Sequence, residues 1–166
     1  MASIPLSRNT LRPWQWVAAG GLTAGALDIL YAIGFWGIKG VAPSRILQSI
    51  AAGVQGKEAA VAGGMPSALL GLLLHFMMAL IMAGAYYLAS RRLPLLVRRP
   101  LLFGTLYGLL LYVVMNYVVV PLSAIGPNPP PSGLWMACSI VAHVVLVGIP
   151  CAYAAKFADK AAMQIR

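Results

Sequence analysis

The chain has 166 residues, 61% of them hydrophobic and only 9% charged. A water-soluble domain needs about 25% charged residues to cover its surface, so the composition excludes a soluble globule and suits a lipid bilayer. The net charge of +9 sits in short clusters between long apolar runs and forms no basic stripe, so we expect membrane-flanking anchors and no nucleic-acid partner.

The first apolar run covers residues 14–38. Arg8 and Arg12 precede it as in a signal peptide. The run is too long for a signal core and contains Asp28, so we read a retained first helix. An acid inside a span costs ~2.5–3.5 kcal/mol on insertion scales, so Asp28 must face other helices, a cavity or water. Gly21, Ala24, Gly25, Tyr31 and Phe35 share its face at offsets of three, four and seven. In the following connection, 39–66, Pro43 and Ser44 open a short helix with Ile46, Leu47, Ile50 and Val54 on one stripe. That pattern suits a helix lying on the outer membrane face, or one packed over the mouth of the bundle.

The second run, 67–89, carries His75. Met78 and Met82 share its face. Thioethers bind soft metals, but no methionine stripe points clearly at either histidine, so we read these methionines as core filling. The third run, 100–120, places Thr105, Gly108, Tyr112 and Asn116 along one face. Segment 121–131 holds Pro121, Pro127, Pro129, Pro130 and Pro131; without amide donors it reads as a stiff extended loop. The fourth run, 133–155, carries His143, Cys138 and Cys151. On one helix the two cysteines lie ~20 Å apart and cannot bridge.

Backbone groups in lipid must be satisfied within the segment, so the four runs are expected to be helices. The expected fold is a single all-α membrane domain. Four transmembrane helices form two hairpins, with a short interfacial helix in the first external loop. Gly21 and Gly25 of the first helix and Gly104 and Gly108 of the third are G-x-x-x-G pairs, which let helices approach closely. Each hairpin then contributes one histidine, a pattern compatible with a parallel duplication or with ordinary membrane composition.

Three helices carry an ionisable group at similar depth: Asp28, His75 and His143. We expect the two histidines to face each other across the bundle in a layer shared with Asp28, with Asn116, Tyr31 and Tyr112 completing a polar site. In a plain hydrogen-bonded site, Asp28 would reach one imidazole directly and fix its tautomer. In a bis-histidine site, His75 and His143 would be axial ligands of haem b, or would bind a metal.

Residues 121–143, with Pro121–Leu122, Gly126–Pro127, a proline-rich turn and a helix centred on His143, together with His75 and Gly84, resemble the YagU-type bacterial inner-membrane proteins. The resemblance covers roughly the last hundred residues loosely. It implies a multi-pass protein of the bacterial inner membrane with ties to acid tolerance, and it supplies no catalytic residues.

Enzyme motifs such as G-x-S-x-G, H-E-x-x-H or a phosphate-binding glycine loop are absent from the sequence. Three classes remain open. One is an uncharacterised multi-pass protein with a polar site for proton, ion or small-solute transport or sensing, which with four helices would need a homo-oligomer. The second is a haem or metal carrier. The third is a structural or assembly partner of another membrane protein.

Orientation follows from the basic residues. Arg8, Arg12, Arg91, Arg92, Arg98, Arg99, Lys156, Lys160 and Arg166 fall on one side, and Lys39, Arg45 and Lys57 on the other. Nine against three places both termini in the cytoplasm. Reporter fusions after Arg92 and after Arg166 should therefore read cytoplasmic, and a fusion within 53–64 external. A cytoplasmic readout within 53–64 overturns this orientation.

Overall fold

The computed structural model describes residues 11–126 and 132–164, and these are helical throughout apart from short turns, with no strand. The elements are α1 (Pro13–Gly37), α2 (Pro43–Gln55), α3 (Lys57–Ala62), α4 (Gly64–Arg92), α5 (Leu95–Arg98), α6 (Pro100–Leu122) and α7 (Gly133–Gln164). Four of them, α1, α4, α6 and α7, are long and apolar enough to cross a membrane. Proline opens α1, α2 and α6, where its missing amide is no loss and its fixed φ suits the first turn.

Two departures from the sequence reading have local causes. The helix of the fourth run continues past residue 155 to Gln164. Ala154, Ala155, Ala158 and Ala161 remain buried at helical spacing, so packing carries the helix on after the apolar run has ended. Asp159 in this extension lies 3.5 Å from Arg91 of α4.

The second departure concerns Pro121, which we expected to begin an extended loop. It lies instead in the last turn of α6. A proline in a helix removes one amide and crowds the carbonyl four residues back. Here the turn just before it widens to π-helix over Met115–Val119, and the Val120 amide bonds to the Met115 carbonyl. The same device recurs in α7, where a π-turn over His143–Gly148 precedes Pro150 and the Ile149 amide bonds to the Val144 carbonyl. Each widened turn accommodates the proline without ending the helix. The rest of the proline segment, 127–131, lies outside the described residues.

The interior is made of small residues: Ala24, Ala83, Cys151, Ala152 and Ala155 pack with Tyr86, Val97, Leu111 and Val147. Both cysteines are free. Large apolar side chains point outward on all four long helices, among them Leu30, Leu73, Leu110 and Val141. This inverted pattern is what helix packing in lipid selects.

α1 packs along α4 and α7, α6 packs along α7, and α4 also meets α7. Glycine sets these seams. A Cβ added at Gly21 would stand 3.0 Å from the Leu80 Cα, and one at Gly25 2.9 Å from the Phe76 ring. Gly104 and Gly108 of α6 press on α7 at Gly148, Ile149, His143 and Val144. α4 and α6 have no comparable backbone seam; they meet through Tyr107, whose hydroxyl donates to the Met82 carbonyl at 2.8 Å. α2 lies along the start of α4, where Gly71 admits the Leu47 carbonyl. Gln48 donates to the Gly64 carbonyl at 2.8 Å and Ser67 to Gln55 at 2.9 Å. Ile46, Ala51 and Ala52 form the packed face of α2, while Val54 from the expected stripe is exposed.

These seams make glycine substitutions unequal. A Cβ at Gly108 would lie 2.5 Å from the His143 carbonyl and the Val144 Cα, whereas one at Gly84 meets nothing within 4 Å. Gly108→Ala should destabilise the folded protein by about 1–3 kcal/mol through overpacking. Gly84→Ala should be neutral or stabilise by roughly 0.5–1 kcal/mol through helix propensity. Thermal unfolding in detergent measures both, and equal midpoints would contradict the seam.

Candidate functional site

The helix order brings side chains from all four long helices around one cavity of about 70 Å³. α1 contributes Ala24, Gly25 and Asp28; α4 contributes His75, Met78, Ala79 and Met82; α6 contributes Met115; α7 contributes His143 and Val147. Asp28, His75 and His143 therefore border the same space although they are far apart in sequence. Each lies ~14–17 Å along its helix from the end remote from the Arg91–Asp159 pair, at 1.5 Å per residue. That depth is near the middle of a ~30 Å hydrocarbon core.

The other expected site residues sit elsewhere. Tyr112 is buried and meets the His143 ring edge-on at 5.6 Å, one layer behind the cavity. Asn116 turns back on its own helix and donates to the Tyr112 carbonyl at 2.9 Å. Tyr31 joins an aromatic cluster, stacked on Trp135 at 5.9 Å and next to Phe35. Its hydroxyl is buried without a hydrogen-bond partner among the described residues. Lys39 caps that cluster, its ammonium 4.4 Å from the Phe35 ring centre and 4.9 Å from that of Trp36.

The hydrogen bonds at the cavity differ from the expected pairing of Asp28 with an imidazole. His75 Nε2 lies 2.8 Å from the Gly25 carbonyl of α1, and His143 Nδ1 lies 2.8 Å from the Ser139 carbonyl one turn back in α7. A carbonyl oxygen only accepts, so each of these ring nitrogens carries its hydrogen and donates. The neutral tautomers follow: Nε2–H for His75 and Nδ1–H for His143. Asp28 forms no hydrogen bond or ion pair with either ring or with any other described residue. The backbone has taken the place we expected Asp28 to fill. Gly25 permits this, because without a side chain its carbonyl stays open to the ring of a neighbouring helix.

The groups left over are all of one kind. With both rings neutral, His75 Nδ1 and His143 Nε2 join the Asp28 carboxylate and the thioethers of Met78, Met82 and Met115 in offering lone pairs and no hydrogen. No Lys or Arg borders the cavity. No three His, Cys, Asp or Glu side chains converge tightly enough, among the described residues, to hold a metal ion by themselves. The methionines that we read as core filling are thus part of the cavity wall. Sequence spacing placed Met78 and Met82 on the His75 face. It gave no sign that Met115 of α6 meets them, because that depends on how α6 is rotated against α7.

The tautomers are directly testable. In ¹⁵N-histidine spectra of the neutral side chains, His75 should show a protonated Nε2 and His143 a protonated Nδ1. Finding either ring in the opposite tautomer would remove the hydrogen-bond pattern described above.

No family model, curated protein or solved structure matches this chain.

Proposed function

We propose that this chain is a multi-pass protein of the bacterial inner membrane whose activity is to take up a proton or a small cation at a polar site in the middle of the bilayer, for transport or sensing. In this reading α1 with α4 and α6 with α7 form the two hairpins, α2 rests at the external membrane face, and both termini are cytoplasmic. Membership of the YagU-type proteins that residues 121–143 resemble belongs to the same proposal, as does assembly into a homo-oligomer to complete a path across the bilayer.

One observation carries the reading: with neutral imidazoles, the heteroatom-bearing side chains at the cavity offer lone pairs and one carboxylate, and none of them offers a donor. A polar cluster that merely fixed helix register would satisfy itself, donor against acceptor. This one has spent its donors on backbone carbonyls. What remains is stabilised by a positive charge or by hydrogens brought in from outside. An unpaired carboxylate in this setting is costly, and a cation or proton removes the cost.

The two other classes fit less well. An apolar cavity of about 150 Å³ takes a benzene, and the space here is about 70 Å³, far too small for a haem. A membrane partner would need free small-residue faces, but both G-x-x-x-G pairs are occupied within the chain, Gly21 and Gly25 against α4 and Gly104 and Gly108 against α7.

Infrared difference spectroscopy on reconstituted protein tests the proposal. Acidification should produce a carboxylic C=O band together with imidazole bands, and the carboxylic band should vanish in Asp28→Asn. A parent spectrum without a band that depends on Asp28 would exclude this acid from proton uptake. Proton flux into dye-loaded vesicles then separates transport from sensing. If Asp28 pairs with the transported charge, Asp28→Asn should cost about 3–5 kcal/mol of site occupancy, a fall of two orders of magnitude or more.

A further inference from the structure

The cavity wall carries more chemical information than its charge. Its donors include three thioethers and two imidazoles as well as the one carboxylate, and they come from all four helices. Thioether is a soft ligand with little affinity for protons, alkali ions, Mg²⁺ or Ca²⁺, and it selects Cu(I) and ions like it. We propose that the cavity is a binding site for a soft monovalent cation, Cu(I) or its surrogate Ag(I), held by thioethers of Met78, Met82 and Met115 and by imidazole nitrogens of His75 and His143, with Asp28 as the compensating charge. The inference rests on reading the cavity as a cation site and names the class of cation.

Two independent features point the same way. The first is charge. With neutral imidazoles and thioethers, Asp28 is the one formal charge at the wall, so a monovalent cation gives a neutral site inside the bilayer. A divalent ion would leave an uncompensated positive charge where such charge is most expensive.

The second is ligand type. Zinc closes its site with several Cys, His or carboxylate ligands, and no three such side chains converge here. Any ion at this place must draw on the methionines, which is acceptable to Cu(I) and poor for zinc.

The local backbone supports the same assignment. Met115 and His143 are the first residues of the two π-turns. A π-turn inserts an extra residue into the helical repeat and rotates the side chains around it, and such turns recur at functional sites. Both are placed by a proline a few residues later, so the α6 and α7 side chains at the cavity are aimed by the same covalent device. The free nitrogen of each imidazole is fixed by the hydrogen bond of the other, His143 by Ser139 and His75 by Gly25. A backbone carbonyl on one ring nitrogen orients each imidazole and leaves its other nitrogen turned toward ligation.

The experiment is an Ag(I) titration of the detergent-solubilised protein against a competing chelator. It is run in a Cys138→Ala, Cys151→Ala background so that thiols do not bind the probe. The expected result is one tightly bound Ag(I) per chain, with a shift of the His143 Nε2 resonance. The triple variant Met78→Leu, Met82→Leu, Met115→Leu keeps side-chain volume nearly constant. It should bind at least about a hundredfold more weakly, the loss that even a second-shell change can cause at a metal site. Met77→Leu, at an exposed position, should bind as the background does. If the triple variant unfolds, Met115→Leu alone gives the same comparison.

Binding unchanged in the triple variant, or absent from the background protein, overturns the soft-cation assignment. The infrared bands distinguish the two levels. If Ag(I) fails to bind but the Asp28 band persists, the cation is hard or a proton and the polar-site reading stands. If the band is also absent, both fall.

Discussion

The contact between α6 and α7 is the constraint from which the rest of the interior follows. Gly104, Gly108 and Gly148 lie in one seam with no side chain between the two backbones. Lipid tails are as apolar as leucine, so helices in a bilayer gain little by hiding apolar surface from one another. They associate through close packing, and small residues permit it. Drawn onto α7, α6 cannot also lie tightly along α4. That second seam is bridged by Tyr107 reaching the Met82 carbonyl and by its edge contact with Tyr86. The cavity opens beside this looser seam, roofed on the α1 side by Gly25 and Asp28.

Within that frame the polar groups are divided between backbone and cavity. A helix carbonyl has two lone pairs and spends one on the ladder. The second lone pairs of Gly25 and Ser139 take the ring hydrogens of His75 and His143. Two half-buried imidazoles are thereby satisfied on their donor side without using any other polar side chain. The arrangement is economical, since no additional donor had to be introduced into the membrane interior, and it leaves Asp28 unengaged. The salt bridge at the opposite pole, Arg91 with Asp159, is at a partly exposed end of the bundle. Ion pairs of that kind contribute about 0–1 kcal/mol, so the fold does not lean on it.

Much of the architecture was legible in the sequence because the bilayer imposes strong rules. The four runs became the four long helices, since length and apolarity dominate that assignment. The G-x-x-x-G pairs were legible for the same reason, as their only use in lipid is close approach. Two errors came from treating composition as if it acted locally. Pro121 looked like a terminator because the π-turn that accommodates it has no sequence mark of its own. Residue 155 looked like the end of a span because charge returns at Lys156, while the alanines that keep the helix packed carry no strong signal. At the site, depth alone put Asp28, His75 and His143 in one layer, and the three border one cavity. Rotation about each helix axis was not legible at all. Hence Asn116, Tyr31 and Tyr112 were grouped with a cavity they do not line, and Met115 was left out of it.

The division of donors and acceptors bears on whether the cavity is simply a packing imperfection. A void left by poor packing is lined by whatever side chains happen to be near, indifferent in hydrogen-bonding sense. Here, excluding Ala24, Gly25, Ala79 and Val147, every lining side chain carries an unshared electron pair. The two groups able to donate have their hydrogens turned away from the space. In a four-helix interior built largely of alanine and glycine, this uniform polarity of sense is costly to maintain without an electrophile to receive it. The π-turns at Met115 and His143 add to that cost by departing from regular helix in the two elements that otherwise pack most closely. A lining of lone pairs, held in place at the expense of helix regularity, is the physical ground on which the proposed cation site rests.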